Sequence, residues 1–374
     1  MTEERLAQRI DAHGVRLRPF HLADLADVAE SCDDPVTQRF LNHLPSPYTE
    51  ADARWWITEG APAAFAAGGA AYAIADPVTD RLLGAVGLSY PVPQRGQAEI
   101  GYWVAPWARG AGVATAATRA LSEHAFANGI YRLELLTELE NAASQRVALA
   151  AGFRPEGVRR RVTSVRGGGR GDLVAWVRLA DDPPGPTTRG LPDLPDGRLT
   201  DGVVVLRRLG PEHIEQTYRL HTDPDVVVTR VPPEAATLDE VTRRCHVAES
   251  QWLVGTAAAM AIVDAASGDF VGNCTLLRDQ PASDQAMIGY SLLPRWRGRG
   301  YATRVVRLAS RWGFGHAGLS RLWAGTLPEN VASMRVLEKA GFRREGLLRG
   351  RLVGAAGRRA DSTIYGLLVT DPID

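Results

Sequence analysis

Glu99-Ile-Gly-Tyr-Trp-Val-Ala-Pro-Trp-Ala-Arg-Gly-Ala-Gly-Val-Ala-Thr115 and Met287-Ile-Gly-Tyr-Ser-Leu-Leu-Pro-Arg-Trp-Arg-Gly-Arg-Gly-Tyr-Ala-Thr303 are two versions of one pattern. Each reads as a strand, a glycine-rich turn that opens with arginine, and a helix. Such a turn gathers several backbone N–H groups at a helix N-terminus, where the macrodipole also favours negative charge, so it suits a phosphate or pyrophosphate.

The likeness extends along both halves. Asn141-Ala-Ala-Ser-Gln-Arg-Val-Ala-Leu-Ala-Ala-Gly-Phe153 matches Asn330-Val-Ala-Ser-Met-Arg-Val-Leu-Glu-Lys-Ala-Gly-Phe342, and Leu17-Arg18 matches Leu206-Arg207. A near-constant offset over a whole half means two duplicated domains, since solenoid repeats recur at about 20–50 residues. The length of 374 residues fits two cores of ordinary size.

Asp181-Asp-Pro-Pro-Gly-Pro-Thr-Thr-Arg-Gly-Leu-Pro-Asp-Leu-Pro-Asp-Gly-Arg198 is too rich in proline and glycine for a helix, and reads as a semi-rigid spacer. The expected domains are therefore 1–180 and 203–374, with a linker over 181–202. Within the first half, strands are expected at Val15–Arg18, Ala71–Ala75, Leu82–Leu88, Ala98–Val104, Tyr131–Thr137 and Gly171–Leu179. Helices are expected over Leu22–Ser31, over Thr49–Glu59 behind a threonine cap, and over Asn141–Ala150. The fold class is α+β, a mixed, mostly antiparallel sheet flanked by helices in each domain.

Composition excludes several functions. Lys+Arg and Asp+Glu are equal at 43, so no general field draws nucleic acid or an anionic membrane. Met1-Thr-Glu-Glu-Arg5 opens acidic without an apolar run behind it, which points to a cytoplasmic protein. Cys32, Cys245 and Cys274 lack CxxC spacing and read as buried thiols, and the eight histidines show no ligand spacing, so no metal is expected.

The order strand, Arg-Gly-x-Gly-x-Ala, helix, strand, then Asn-x-x-Ser and Ala-Gly-Phe resembles the GNAT superfamily of N-acetyltransferases, particularly its ribosomal-protein N-terminal acetyltransferase branch, once in each half. A dinucleotide-binding turn would need Gly-x-Gly-x-x-Gly after the first strand and an acidic residue on the second; here the loop comes late and lacks the third glycine. The resemblance implies acetyl-CoA, or another short acyl-CoA, as the bound donor. It assigns the pyrophosphate to Arg109, Gly110, Ala111, Gly112, Val113, Ala114 and Thr115, and to Arg297, Gly298, Arg299, Gly300, Tyr301, Ala302 and Thr303. The pantetheine arm is assigned to Trp103, Val104, Leu292 and Leu293, with Asn141 and Asn330 holding its amides. It also implies that the glycine-bearing strand splays from its neighbour, and Gly101 and Gly289 are expected to mark a bulge or a close backbone approach.

Acetyl transfer to an amine needs a neutral amine, a polarised carbonyl and protonation of the departing thiolate. Glu99 shares a strand face with Gly101 and Trp103 and is placed to take the proton. The matching Met287 cannot. Ser144 and Ser333, each one helical turn past an asparagine, are the candidate thiolate partners; the same spacing also suits helix capping. A tyrosine acid seven residues past the asparagine, common in relatives, is absent, since Ala148 and Leu337 stand there. Asp33, Asp34, Asp223 and Asp225 are expected to make the acceptor clefts acidic, walled by 33–56 and 223–252 together with Arg166–Arg170 and Gly354–Arg359.

The sequence thus predicts a tandem N-acetyltransferase acting on an amine-bearing small molecule or a peptide N-terminus, with domain one catalytic. It predicts no nucleic-acid or membrane partner, and a monomer with an internal pseudo-dimer or a homodimer. The alternatives are one or two non-catalytic acyl-CoA-binding or substrate-docking modules, or a tandem synthase of a thiol metabolite.

Overall fold

The computed structural model describes residues 9–278, 283–354 and 357–373. Met1–Arg5, and Ala355-Ala356 of the second closing segment, lie outside the described residues. The chain divides into two compact units, Met1–Thr188 and Arg189–Asp374.

Unit one contains β1 (Ile10–Ala12), β2 (Val15–Arg18), β3 (Ala70–Ala75), β4 (Leu82–Val92), β5 (Gln97–Val104), β6 (Arg132–Glu138), β7 (Arg154–Ser164) and β8 (Arg170–Leu179). They form one sheet in the order β1-β2-β3-β4-β5-β6-β8-β7. Unit two repeats it with β9 (Arg198–Thr200), β10 (Val204–Arg208), β11 (Ala257–Asp264), β12 (Phe270–Leu277), β13 (Gln285–Leu292), β14 (Arg321–Thr326), β15 (Arg343–Val353) and β16 (Arg359–Leu368), ordered β9-β10-β11-β12-β13-β14-β16-β15. Neighbouring strands are antiparallel except β5 with β6 and β13 with β14.

Those two parallel pairs open the sheet. β5 and β6 are in register only at Gln97↔Arg132, Ala98↔Leu133 and Glu99↔Glu134, and β13 and β14 only at Gln285↔Arg321, Ala286↔Leu322 and Met287↔Trp323. Beyond these residues the strands part, while β6 and β14 stay paired on their other sides as far as Glu138 and Thr326. No register shift falls at Gly101 or Gly289, so the expected bulge there does not occur.

The helices follow from capping and apolar spacing. Thr49 and Asp52 form a capping box that starts Glu50–Trp55, after which the helix continues through a π-turn at Trp56–Gly60 into Ala61–Ala66. In unit one, Phe20, Val28, Tyr48, Ile57 and the sheet residues Ala71, Ala73 and Ala85 make a core between these helices and one sheet face. The helix Val113–Ala127 packs across β1, β2, β4 and β5. Tyr301–Gly315 sits likewise in unit two, burying Val305, Val306, Ala309 and Trp312, the stripe read from the sequence.

The proline-rich stretch is not a spacer along its length. Thr187 N–H donates to Leu149 O in unit one at 2.8 Å. Leu191 and Leu194 are buried in the core of unit two, β9 pairs with β10, and Trp252 Nε1 donates to Pro192 O at 2.9 Å. The two leucines are what fasten this segment: each buries apolar surface that a free linker would expose.

Entry into the first helical layer depends on a buried ion pair. Arg18 Nη1 and Nη2 donate to Asp24 Oδ2 and Oδ1 at 2.8 and 2.9 Å, and the Asp24 carboxylate also accepts the His21 N–H at 2.8 Å. Removing one partner of a buried pair leaves an uncompensated charge. Asp24→Ala is expected to destabilise the full chain by about 3–5 kcal/mol, read as a lower denaturant midpoint of the first transition. An unchanged midpoint would show that the pair is solvated.

Candidate active site

The two glycine turns have the same backbone. Gly110 and Gly112 have φ of 77° and 78°, and Gly298 and Gly300 have 75° and 81°. This left-handed conformation disfavours any residue with a Cβ. Gly112 and Gly300 are the N-cap residues of the following helices. Among the described residues the N–H groups of residues 110–112 and 298–300 donate to no backbone carbonyl. A Cβ on any of these four glycines, or on Gly101 or Gly289, would meet nothing within 4 Å. The glycines therefore leave space on the open side of the turn and strand. Gly87, by contrast, is packed: a Cβ there would lie 2.5 Å from Ala70 O.

Side chains of the turn divide between open and structural roles. Val113 is buried, and the buried Tyr301 donates its hydroxyl to Asp264 Oδ1 and packs on Trp296, so both offer the cleft only their backbone. Arg109 is turned back: Nε donates to Val104 O at 3.3 Å and Nη2 donates to Asp34 and to Thr37 Oγ1. Arg297 repeats this with Leu292 O at 3.2 Å and Asp225 O at 3.2 Å. Both arginines brace the turn against the N-terminal helical layer.

Asn141 and Asn330 are helix caps; their Oδ1 atoms accept Ser144 N–H and Ser333 N–H, each at 3.1 Å. Each serine hydroxyl meets a tyrosine that sequence reasoning did not single out. Tyr102 Oη lies 2.7 Å from Ser144 Oγ, and Tyr290 Oη lies 2.8 Å from Ser333 Oγ. The signal was present in the shared Ile-Gly-Tyr of both quoted stretches. Burial pushes both phenols well above their ordinary range. They remain neutral and serve as hydrogen-bonding groups.

On the opposite face of β5, Glu99 stands beside Glu134 at the last paired position before the strands part. Burial, and then the Glu134 charge, raise the Glu99 pKa, with Arg159 opposing. Glu134 is itself buried and held by Arg159. Farther along, Glu138 accepts from Asn42 Nδ2 at 3.1 Å, and Glu140 pairs with Arg39. Trp103 packs into the Phe20–Val28 core on this same face. Trp107 belongs to the frame, donating to Leu82 O at 3.1 Å beneath the Arg81 guanidinium. The β7–β8 hairpin closes the wall, with Asn42 Nδ2 donating to Ser164 O at 2.9 Å and Arg166 to Leu44 O at 3.1 Å.

Three of the four aspartates expected to make the clefts acidic are engaged locally. Asp34 and Asp223 are N-caps, and Asp33 accepts the Tyr48 N–H at 2.8 Å. Short acidic side chains before Pro35 and Pro224 satisfy helix N–H groups, which the charge count alone could not reveal. The first cleft owes its charge to Glu99, Glu134, Glu138 and Glu140. In unit two the positions of Glu99 and Glu134 carry Met287 and Trp323.

A splayed parallel pair beside an N–H-rich turn at a helix N-terminus, present twice, defines an acyl-CoA acyltransferase fold. The acetyltransferase (GNAT) domain model matches residues 15–154 and 204–343, and the chain belongs to that family with two tandem domains. The chain is similar to the probable N-acetyltransferase YjcK of Bacillus subtilis (strain 168), 47% identical over 18% of this chain and 38% of that protein. It also resembles the uncharacterized N-acetyltransferase p20 of Bacillus licheniformis, 26% identical over 44% of this chain and 92% of that protein. A third relative is the FsC-acetyl coenzyme A-N(2)-transacetylase of Aspergillus fumigatus, 30% identical over 42% of this chain and 67% of that protein. Among the described residues no helix is long and apolar enough to cross a membrane.

The raised Glu99 pKa has a stability consequence of definite sign. Between the ordinary carboxylate pKa and the raised one the folded state binds more protons than the unfolded, so stability falls as pH rises through that window. Glu99→Gln should therefore match the wild type in melting temperature below the ordinary carboxylate range and exceed it progressively above. A melting curve lower than wild type at neutral pH would mean that the carboxylate is stabilised by a partner instead.

Proposed function

We propose that the chain is an acetyl-CoA-dependent N-acetyltransferase whose first domain carries out transfer to a primary amine of a small molecule or peptide N-terminus. The observation that carries this reading is Glu99: a carboxylate of raised pKa at the mouth of the splay, next to buried Glu134, with Met287 and Trp323 in the second domain. A base of raised pKa is better matched to removing a proton from an ammonium near neutral pH than an ordinary glutamate. The fungal relative's name, a coenzyme A transacetylase acting at a nitrogen, supports the donor and the acceptor atom.

In this reading acetyl-CoA supplies an activated acetyl group. Residues 109–115 and 297–303 hold the pyrophosphate mainly through backbone N–H groups, with Arg109 and Arg297 fixing the turn and adding charge. The strand edges freed beyond Glu99 and Met287 receive the pantetheine amides, beside Trp103, Val104, Leu292 and Leu293, and Asn141 and Asn330 contribute their amides. Glu99 takes a proton from the amine, directly or through water, and freed β5 N–H groups polarise the carbonyl. Tyr102 donates to Ser144 Oγ, which directs the serine's own proton toward the departing sulfur.

The second domain is assigned a donor- and ligand-binding role. Beside its turn lies a cavity of about 520 Å³ lined by Gly300, Thr303, Arg304, Arg307, Arg311 and Lys339 among others. The first-domain positions corresponding to Arg304, Arg307, Arg311 and Lys339 are Ala116, Arg119, Glu123 and Ala150. Cations there suit the 3′-phosphate of CoA.

Two outcomes follow. Glu99→Gln should lower turnover by about 10²–10⁴-fold near neutral pH, recovering partly at high pH, while Gly300→Trp leaves most turnover intact; the reverse pattern would place catalysis in the second domain. In calorimetry, CoA should fill two sites per chain. Replacing CoA by dephospho-CoA should weaken the site lost in Gly300→Trp by about tenfold and the site lost in Gly112→Trp less. Equal weakening would remove the cationic cavity from the donor site.

A further inference from the structure

The second domain carries Met287, Trp323 and Leu327 where the first has Glu99, Glu134 and Glu138, keeps Glu329 at the place of Glu140, and adds a different polar set. His221 lies on the helix Ile214–Thr222 and is only 7% exposed, yet neither ring nitrogen has a hydrogen-bond partner. Asn273 on β12 is 3% exposed, and both its Oδ1 and its Nδ2 are likewise without partners. Buried polar atoms left in this state cost free energy unless something else satisfies them. In the first domain the register equivalents are Cys32 and Ala85, which make no such demand.

Cations lie close to this buried polar set. Asn273 and Thr275 alternate onto the same face of β12, and their partners across the ladder are Ser291 and Gly289, the latter beside the splay. Arg244, on the helix Leu238–Leu253, reaches in to donate through Nη2 to Thr275 Oγ1 at 3.3 Å. Arg244 and Arg230 both act on His221, and burial with these two charges holds the imidazole down at about 4, hence neutral. Arg230 Nη1 donates to His221 O at 3.2 Å. Among the described residues no carboxylate pairs with Arg244; the residue is exposed as a whole, while burial of its guanidinium and the nearby Arg230 charge lower its pKa. Ser291 stands where Trp103 fills the first cleft, so the second has more room.

We propose that the cleft of the second domain takes a small ligand bearing a carboxylate, bound by Arg244, with Asn273 and His221 completing its polar lining. The two domains would then select opposite charges, a cationic amine in the first and an anion in the second. A forked guanidinium beside neutral amide and imidazole groups, with no acid opposing it, matches a carboxylate and rejects an ammonium. This deepens the ligand-binding role assigned above to the second domain and rests on that reading for its setting.

The test uses the full-length protein and matched probes without an amine: 4-methylpentanoate, 3-phenylpropanoate and glutarate, each against its carboxamide, followed by ligand-observed NMR and by thermal shift. At least one carboxylate should bind about tenfold or more tightly than its amide, the range expected of one charge-assisted contact. Arg244→Met should abolish the preference, and Arg243→Met, one position along on the exposed side, should leave it. The proposal is overturned if no carboxylate binds at millimolar concentration, if acid and amide bind alike, or if the preference survives Arg244→Met. CoA titration of the same variants keeps the readings apart. Retained CoA binding with no carboxylate preference refutes this inference alone, whereas a second domain that binds the carboxylate but no CoA refutes its donor-binding role.

Discussion

Everything at the site depends on how briefly one pair of parallel strands stays together. Three residues of β5 hold to β6, and three of β13 to β14, before the ladders end. An unpaired strand edge inside a sheet carries a row of unsatisfied donors and acceptors, normally a liability. Here the opening lies beside a turn whose own N–H groups are unused, so one extended polar ligand can satisfy both. The remaining neighbours pair antiparallel on both sides of the gap.

The two domains keep this frame and differ in what they place at its rim. The turn glycines, the asparagine caps and the Tyr–Ser pairs recur almost atom for atom, while the arginine braces share only the strand-end carbonyl and differ in their partners on the helical layer. Asp172 Oδ1 accepts the Arg161 N–H at 2.8 Å, and Asp361 Oδ1 accepts the Gly350 N–H at 2.7 Å, so even the irregularity of each closing strand is held the same way. The acceptor side instead reverses character, from clustered glutamates to Met287, Trp323 and arginines. The two halves keep the turn and its braces, while the residues on the Glu99 and Met287 strand faces differ in charge and volume.

Much of this was legible in the residues. The duplication, the strand-turn-helix at each glycine loop, the Thr49 cap and the apolar stripe of Tyr301–Gly315 are local patterns with local causes. β7 escaped notice because Arg-Pro-Glu-Gly-Val-Arg-Arg-Arg-Val-Thr-Ser is an exposed edge strand whose charges discourage aggregation and erase the alternation that marks a buried one. The aspartates misled because a cap and a cleft acid look alike until helix starts are known. The Tyr102–Ser144 contact joins residues 42 positions apart, and the Glu99–Glu134 pair depends on a register that no spacing encodes. Orphaned polar atoms such as those of His221 and Asn273 become visible only once everything around them has been accounted for.

The leucines that anchor the proline-rich segment redraw the unit of inheritance. Leu191, Leu194 and β9 belong to the second sheet and core, so the hereditary module begins near Arg189, ahead of the first strand recognisable from its pattern. A fragment cut at the end of the expected linker, after residue 202, would discard an edge strand, two core side chains and the acceptor for the Trp252 indole. A fragment that keeps the whole of this unit carries Pro192 and Pro195 with it.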